Sequence, residues 1–252
     1  MILVLGKALN ILELLGKNTD REMSLGEIAG TLKMDRGTCT NIIKTLAERG
    51  YVQQSGPRRG YKLGYMVYDL ANSAVLNDDL TKIAREDITS LSKDLNESAI
   101  LSVIRNDKRI VLFQTEPLRD VYVRTNIDKC VYSTNSGRVI IANYSPEHQE
   151  KFIIRVGLPS EKDWPEVFNS DNPQGTLMNY LSTIRQNGYY MIHDMKGIFS
   201  VGAPLFRNGH VAGSIGVYLP SFRVDGNEGI ILQKVLAAAE RINTKIRLTD
   251  EL

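Results

Sequence analysis

Two short amphipathic segments, at 24–32 and 35–50, lie only a few residues apart, and this spacing most limits the folds open to the first quarter of the chain. Ser24-Leu25-Gly26-Glu27 fits the S-x-x-E capping box, in which the serine oxygen and the glutamate each satisfy an orphan amide at a helix start. Leu25, Ile28, Ala29 and Leu32 follow at helical spacing. The next helix starts near Asp35, turns Cys39, Ile42, Ile43 and Leu46 inward, and stops at Gly50. Ahead of both, Leu5, Ala8, Leu9, Leu12 and Leu15 form a stripe that ends at Gly16-Lys17-Asn18. Three helices with so tight a junction between the second and third form a helix-turn-helix, whose second member enters the major groove of DNA.

The outward face of the third helix carries Gly37, Thr40, Asn41 and Lys44, with Arg36 and Thr38 at its first turn. Small residues let a helix approach base edges, Asn pairs with adenine, and Lys and Arg reach guanine or phosphate. Two short strands, Tyr51–Ser55 and Tyr61–Leu63, flank Gly56-Pro57-Arg58-Arg59-Gly60, which places two arginines at a turn tip, suited to phosphate or a minor groove. Helix-turn-helix plus basic hairpin is a winged helix. Charge agrees: residues 1–64 hold ten Lys or Arg against six Asp or Glu, whereas the rest hold 21 against 23. The expected DNA-contacting set is Ser24, Arg36, Gly37, Thr38, Thr40, Asn41, Lys44, Arg58 and Arg59.

Composition excludes several classes. A hydrophobic content of 42% is incompatible with wholesale disorder. Two distant cysteines, Cys39 and Cys130, give neither a disulfide framework nor a CxxC zinc pair, and fit a reducing cytoplasm. The apolar Met-Ile-Leu-Val-Leu opening is too short for a membrane span. His148, His193 and His210 are scattered, Ser200 and Ser214 follow no G-x-S-x-G elbow, and Ser136-Gly137-Arg138 is too poor in glycine for a phosphate loop. No metal, cofactor or catalysis is expected.

Past residue 64 the pattern continues as helix to Asn77, with Leu70, Ala71 and Ala74 on one face, giving a helical linker at 65–78. Leu80, Ile83, Ala84, Ile88, Leu91 and Leu95 mark a further helix, and from Ala99 short β-rich runs take over. Strands are expected at Ala99–Ile104, Ile110–Gln114, Val121–Thr125, Tyr189–His193, Phe199–Phe206 and Val211–Leu219, with a hairpin turn at Arg207-Asn208-Gly209-His210. Helices are expected at Ser136–Tyr144, Pro146–Val156, Gly175–Gln186 and from about 225 to 248. The fold class is therefore α+β: a winged helix-turn-helix at 1–64, a linker helix at 65–78, and a domain at 79–252 with a mostly antiparallel sheet.

The run Ala8–Leu15, then Ser24–Ala29, Lys44–Val52 and Tyr61–Gly64, resembles the N-terminal domain of IclR-type bacterial transcriptional regulators. Asn135–Val139, Ile184–Tyr189, Gly202–Phe206 with Ile215–Val217, and Pro220–Arg223 resemble successive elements of that family's C-terminal domain. The resemblance implies a GAF-like effector-binding domain and DNA heads that pair, so that the protein works as a homodimer or a dimer of dimers on a roughly two-fold operator. It also implies a cup for a small organic or sugar acid or an aromatic compound, lined by Val123, Asn135, Ser136, Asp194, Ser200, Gly216 and Tyr218. Some members have serines where Gly216 and Tyr218 stand; here one site lacks a side chain and the other offers a bulky phenol. The expected function is a cytoplasmic, one-component, non-enzymatic transcriptional regulator. The rival is a sensor or small-molecule enzyme whose winged helix binds protein, which leaves the basic wing and helix face unexplained.

Overall fold

The computed structural model describes residues 2–54, 56, 59–67, 69–70, 79–194, 197–224 and 226–250. The chain divides into two compact units, Met1–Asn77 and Asp78–Leu252. Of the expected linker helix, 65–67 and 69–70 are helical, and 68 and 71–78 lie outside the described residues.

In the first unit, α1 (Leu3–Lys17), α2 (Leu25–Thr31) and α3 (Arg36–Glu48) precede a hairpin of β1 (Val52–Gln54) and β2 (Tyr61–Leu63). The hairpin is antiparallel, with Val52 opposite Leu63. Tyr61 also bridges to Met23, which ties the wing to the residue before α2. Gly50 ends α3 at φ +74, a conformation that a side chain would strain. Ile11, Leu15, Met23, Ile28, Cys39, Ile42, Ile43 and Val52 form the core. This corrects the expected α1 stripe. Ile11 and Leu15 face the core with Ala8 and Leu12 beside them, while Leu5 and Leu9 are 56% and 51% exposed. At about 100° per residue the apolar sector of α1 covers more than half its circumference, so periodicity alone does not pick its inner edge.

The second unit opens with α4 (Asp79–Leu95), then β3 (Ser98–Arg105), β4 (Lys108–Gln114) and β5 (Asp128–Cys130). Four helices follow: α5 (Asn135–Ala142), α6 (Pro146–Val156), α7 (Pro165–Phe168) and α8 (Pro173–Asn187). Strands β6 (Tyr190–His193), β7 (Ile198–Arg207) and β8 (His210–Pro220) lead through a 3-10 turn at Ser221–Arg223 into α9 (Glu228–Asp250). The six strands form one sheet in the order β5-β4-β3-β8-β7-β6, and each neighbouring pair is antiparallel.

Val121–Thr125 is not a strand; the edge strand beside β4 is Asp128–Cys130, with Ile110 opposite Asp128. The β4 ladder is filled by that later segment, so 121–127 runs as irregular chain whose polar groups find other partners. The Val123 carbonyl accepts from Ser98 Oγ at 2.7 Å, and the Ile127 carbonyl from the Val111 amide at 2.9 Å. The α7 turn, which the alternation of the sequence does not reveal, buries Val167 beside Trp164.

Strand register separates two faces of the sheet. Ala99, Leu101 and Val103 of β3, Val201, Ala203 and Leu205 of β7, and Ile215, Val217 and Leu219 of β8 share one face and pack with Ala84, Ile88 and Leu91 of α4 and Val235, Ala238 and Ile242 of α9. A second cluster, built from α5 to α8 around Val139, Phe152, Trp164, Leu177 and Leu181, belongs to the opposite side. Beside the first layer, Asp87 of α4 meets Arg241 and Lys245 of α9 at 2.7 Å each. Pro220–Arg223 also gains a role: Arg223 forks onto the buried Glu97 carboxylate at 2.6 and 2.8 Å, fastening the end of β8 to the start of β3.

Candidate functional site

Two sets of residues emerge, one in each unit. In the first, Asp35 caps α3 by accepting from the Thr38 amide at 2.9 Å. That bond, with the Gly37 amide assisting, holds the Asp35 carboxyl below the usual carboxylate range. From this fixed start, one turn after another presents Arg36, Gly37, Thr40, Asn41 and Lys44 to solvent, with Thr38 half-buried and Cys39, Ile42 and Ile43 inside. Thr40 Oγ1 donates to the Arg36 carbonyl at 2.8 Å, which leaves its methyl group and oxygen lone pairs outward. The outer face of α3 is thus low in relief near Gly37 and rich in amide, hydroxyl and cation further along.

Ser24 serves α2 directly. Its side chain accepts from the Glu27 amide at 3.3 Å, and Glu27 accepts from the Ser24 amide at 2.7 Å. Hydrogen bonds from Arg21 and from the Ser24 amide hold the Glu27 carboxyl at about 2. Ser24 is exposed and could touch a phosphate only while capping. At the wing, Arg59 is exposed, its carbonyl accepts from Gln54 Nε2 at 2.8 Å, and its amide donates to the Gly56 carbonyl at 3.0 Å. Arg58 lies outside the described residues.

In the second unit, the sheet face opposite α4 and α9 is buried but polar. Register sets Ser98, Ile100, Ser102 and Ile104 of β3 in line with Tyr218, Gly216 and Ser214 of β8, and with Gln114, Val111 and Arg109 of β4. Ser200 and Gly202 of β7 continue it. The start of α5 lies over this face: Ser136 Oγ is 3.5 Å from the Tyr218 hydroxyl, and Ser214 Oγ donates to the Ser136 carbonyl at 3.3 Å. Four of the expected cup residues, Asn135, Ser136, Ser200 and Tyr218, therefore gather here, each 9% exposed or less.

Several of the expected residues also carry structural roles. Asn135 Nδ2 donates to the carbonyls of Tyr190 and Ser200 at 2.7 and 3.2 Å, so its amide nitrogen pins α5 to β6 and β7. Its Oδ1 is buried without a partner among the described residues. Gly202 is glycine because a Cβ there would stand 2.5 Å from that oxygen, and Gly216 because one would stand 2.8 Å from the Val201 carbonyl. Gly216 is thus a close-packing position. Asp194 closes the β6–β7 connection, accepting from the Ile198 amide at 2.8 Å through Oδ1. Val123 sits in the irregular segment and contributes its carbonyl to Ser98.

Sequence inspection missed the most unusual member of the face, Arg109, whose side chain is wholly buried. Arg109 Nη1 donates to the Asn126 carbonyl at 3.1 Å and Nη2 to Thr125 Oγ1 at 2.9 Å. Burial pushes its pKa down, against the fields of Tyr218 and Asp128. The signal was available: Arg109 and Val111 sit two residues apart on β4 and so share a face, but the expected strand began only at Ile110.

A separate cavity of about 410 Å³ adjoins the apolar layer, lined among others by Leu95, Glu97, Val217, Leu219, Arg223 and Ile231. Of its charged groups, which include Asp94 and Arg119, Glu97 is paired with Arg223 at 2.6 Å and with Arg119 at 3.6 Å. Among the described residues no cluster of three or more His, Cys, Asp or Glu could hold a metal ion, and no helix is long and apolar enough to cross a membrane.

A helix-turn-helix with a hairpin wing, joined in one chain to a separate α+β unit, defines the class of DNA-binding transcriptional regulators. The chain belongs to the IclR family of bacterial transcriptional regulators: residues 4–56 match the IclR helix-turn-helix domain, and residues 72–244 match the bacterial transcriptional regulator IclR C-terminal domain. It is 24% identical to the HTH-type transcriptional regulator KdgR of Escherichia coli, over 97% of this chain and 92% of that one. The fold matches the Thermotoga maritima IclR crystal structure with a TM-score of 0.76 at 20% identity, covering 98% of this chain and 99% of that one. It also matches an IclR homologue from Microbacterium hydrocarbonoxydans complexed with 4-hydroxybenzoate, with a TM-score of 0.75 at 18% identity and coverage of 97% and 99%.

Proposed function

We propose that this regulator is a cytoplasmic, non-enzymatic, one-component switch whose operator binding is set by a small organic effector held on the polar face of the second unit's sheet. The observation that carries the DNA half is the outward stripe of α3, where Arg36, Gly37, Thr40, Asn41 and Lys44 are all exposed over a core of Cys39, Ile42 and Ile43. Asn41 and Lys44 read base edges, Arg36, Thr38 and Thr40 support them, and the wing arginines Arg58 and Arg59 hold the backbone or minor groove. Ser24 adds a phosphate contact at the start of α2. The domain limits are 1–64, 65–78 and 79–252.

The protein acts as a homodimer, with a dimer of dimers as its larger form. Ile2, Leu3, Val4, Leu5 and Leu9 leave apolar side chains exposed around the N-terminal turns of α1, and pairing through them would place two α3 helices on the two halves of one operator. A single head with an excess of four positive charges would bind weakly at physiological salt, which also favours pairing. The effector's influence is bounded by its differential affinity for the two DNA-binding states, about 1–3 kcal/mol. The 4-hydroxybenzoate complex of the structural neighbour supports a small-molecule ligand for this domain.

The test is selection of genomic fragments by the purified protein at near-physiological salt, followed by binding measurements on Asn41→Ala and on the Arg58→Ala, Arg59→Ala pair. Recovered sites should share a two-fold motif. Asn41→Ala should cost about 1–3 kcal/mol on that motif and far less on random DNA. The double variant should weaken binding to all sequences and flatten the salt dependence. Equal losses for Asn41→Ala on both DNAs would remove it as a base reader, and unchanged binding by the double variant would remove the wing.

A further inference from the structure

Among the described residues the second unit buries two arginines, and they are treated differently. Arg138 of α5 has a partner for every nitrogen: Nε donates to the Tyr132 carbonyl at 2.6 Å, Nη2 to the Asp163 carbonyl at 2.9 Å and Nη1 to the Tyr190 hydroxyl at 3.5 Å, and the guanidinium lies 3.8 Å from the Trp164 ring centre. Arg109 of β4 has two neutral acceptors, the Asn126 carbonyl and the Thr125 hydroxyl, and its Nε is buried without a partner among the described residues. Guanidinium has five N–H donors and stays charged in proteins. Among the described residues no carboxylate forms an ion pair with Arg109, and Asp128, whose field reaches it, is paired with Lys108 at 3.0 Å. A buried, uncompensated cation with an idle donor is costly to keep.

The groups around it point the same way. Ser102 Oγ, on the same face and also fully buried, has no partner among the described residues. Tyr218 and Ser136 place two hydroxyls on that face, with the Asn135 Oδ1 acceptor under the same helix. A lining with one cation, several hydroxyls and one spare acceptor suits a small hydroxylated anion.

We propose that Arg109 is the anion receptor of this cup and selects a small organic acid over a neutral effector. The Nε–H and an adjacent Nη–H form a side-on fork for one carboxylate, the bidentate geometry in which arginine is strongest. One cation favours a monovalent carboxylate over a doubly charged phosphate. The inference rests on the cup being the effector site.

The test uses the full chain and three acids of graded size, pyruvate, gluconate and 4-hydroxybenzoate, each against its neutral amide. At saturating concentration at least one acid should raise the melting temperature by about 5 °C. Its amide should bind at least tenfold more weakly. Arg109→Met should abolish the acid's effect while the ligand-free variant melts close to the wild type, because removing a buried charge that has no carboxylate partner offsets the loss of its bonds to Asn126 and Thr125 and keeps the volume. Arg109→Lys should recover part of the binding. The proposal is overturned if no acid binds, if acid and amide bind alike, if Arg109→Met keeps the response, or if that variant melts well below the wild type or fails to fold. Operator affinity measured on the same proteins separates this inference from the switch itself. Acid binding that leaves operator affinity unchanged retains Arg109 as the receptor and removes the effector role.

Discussion

On one face of the six-stranded sheet, Leu101, Val103, Val201, Leu205, Ile215 and Val217 meet α4 and α9; on the other, Ser98, Ser102, Arg109, Ser214 and Tyr218 lie under α5 and the 121–127 segment. Both faces are buried, and the strands alternate between them residue by residue. On the first face each large side chain contributes about 1.5–3 kcal/mol by leaving water. On the second, burial costs free energy unless every polar group finds a partner, and several do not. Two equally enclosed surfaces of one sheet therefore do different work. One holds the unit together, and the other leaves buried donors and acceptors unsatisfied among the described residues.

Mutations can break or sharpen this contrast. Leu101→Ala on the apolar face should lower unfolding free energy by about 4 kcal/mol in denaturant titration, since α4 and α9 leave little room to collapse into the cavity. A loss under about 1 kcal/mol would mean that this layer is not the main core. Arg138→Met should cost about 3 kcal/mol, because it strands the Tyr132 and Asp163 carbonyls and uncovers Trp164. A neutral result there would erase the difference between the two buried arginines.

Asp87→Asn should cost about 2 kcal/mol at neutral pH. Burial disfavours the Asp87 charge, yet hydrogen bonds from Lys245 and Arg241 hold its carboxyl below the ordinary range. A depressed folded-state pKa gives stability that is fully present above the unfolded value, near 3.9, and is lost as pH falls through the folded one. The gap between wild type and variant should therefore close in strong acid, as urea titrations across pH would read. A gap independent of pH would assign the cost to packing instead. The smallest effect is expected at Ser102→Ala, within about 0.5 kcal/mol of wild type and of either sign, since its buried hydroxyl has no partner to lose. A larger destabilisation would show that the polar face is structurally satisfied after all.

The N-terminal unit was largely legible because its signals are local. A capping box needs four residues, and an outward stripe on α3 follows from which positions are apolar. The inner edge of α1 was not legible, since Leu5 and Leu9 are as apolar as Ile11 and Leu15 and only the partner surfaces decide which are covered. In the second unit, Asn135, Ser136, Ser200 and Tyr218 came from the resemblance and do share one face, whereas Arg109 escaped because a lone arginine near a turn looks solvated. Val123 was assigned to a strand on its alternation, but the position beside β4 was taken by Asp128–Cys130. Competition between segments for one sheet edge is not written in either segment.

What the sequence by itself determined is what depends on neighbours within a few residues: three helices and a wing, the polar face of α3, the alternation of β3, β7 and β8, and an ordered series of motifs that match one family. What only the tertiary structure decided depends on partners distant in the chain. The guanidinium of Arg109 meets Thr125 and Asn126, Asn135 meets Tyr190 and Ser200, and Arg223 meets Glu97. Local pattern sets which face a side chain is on. Whether a buried polar group on that face is satisfied or left waiting is set by atoms brought to it from elsewhere.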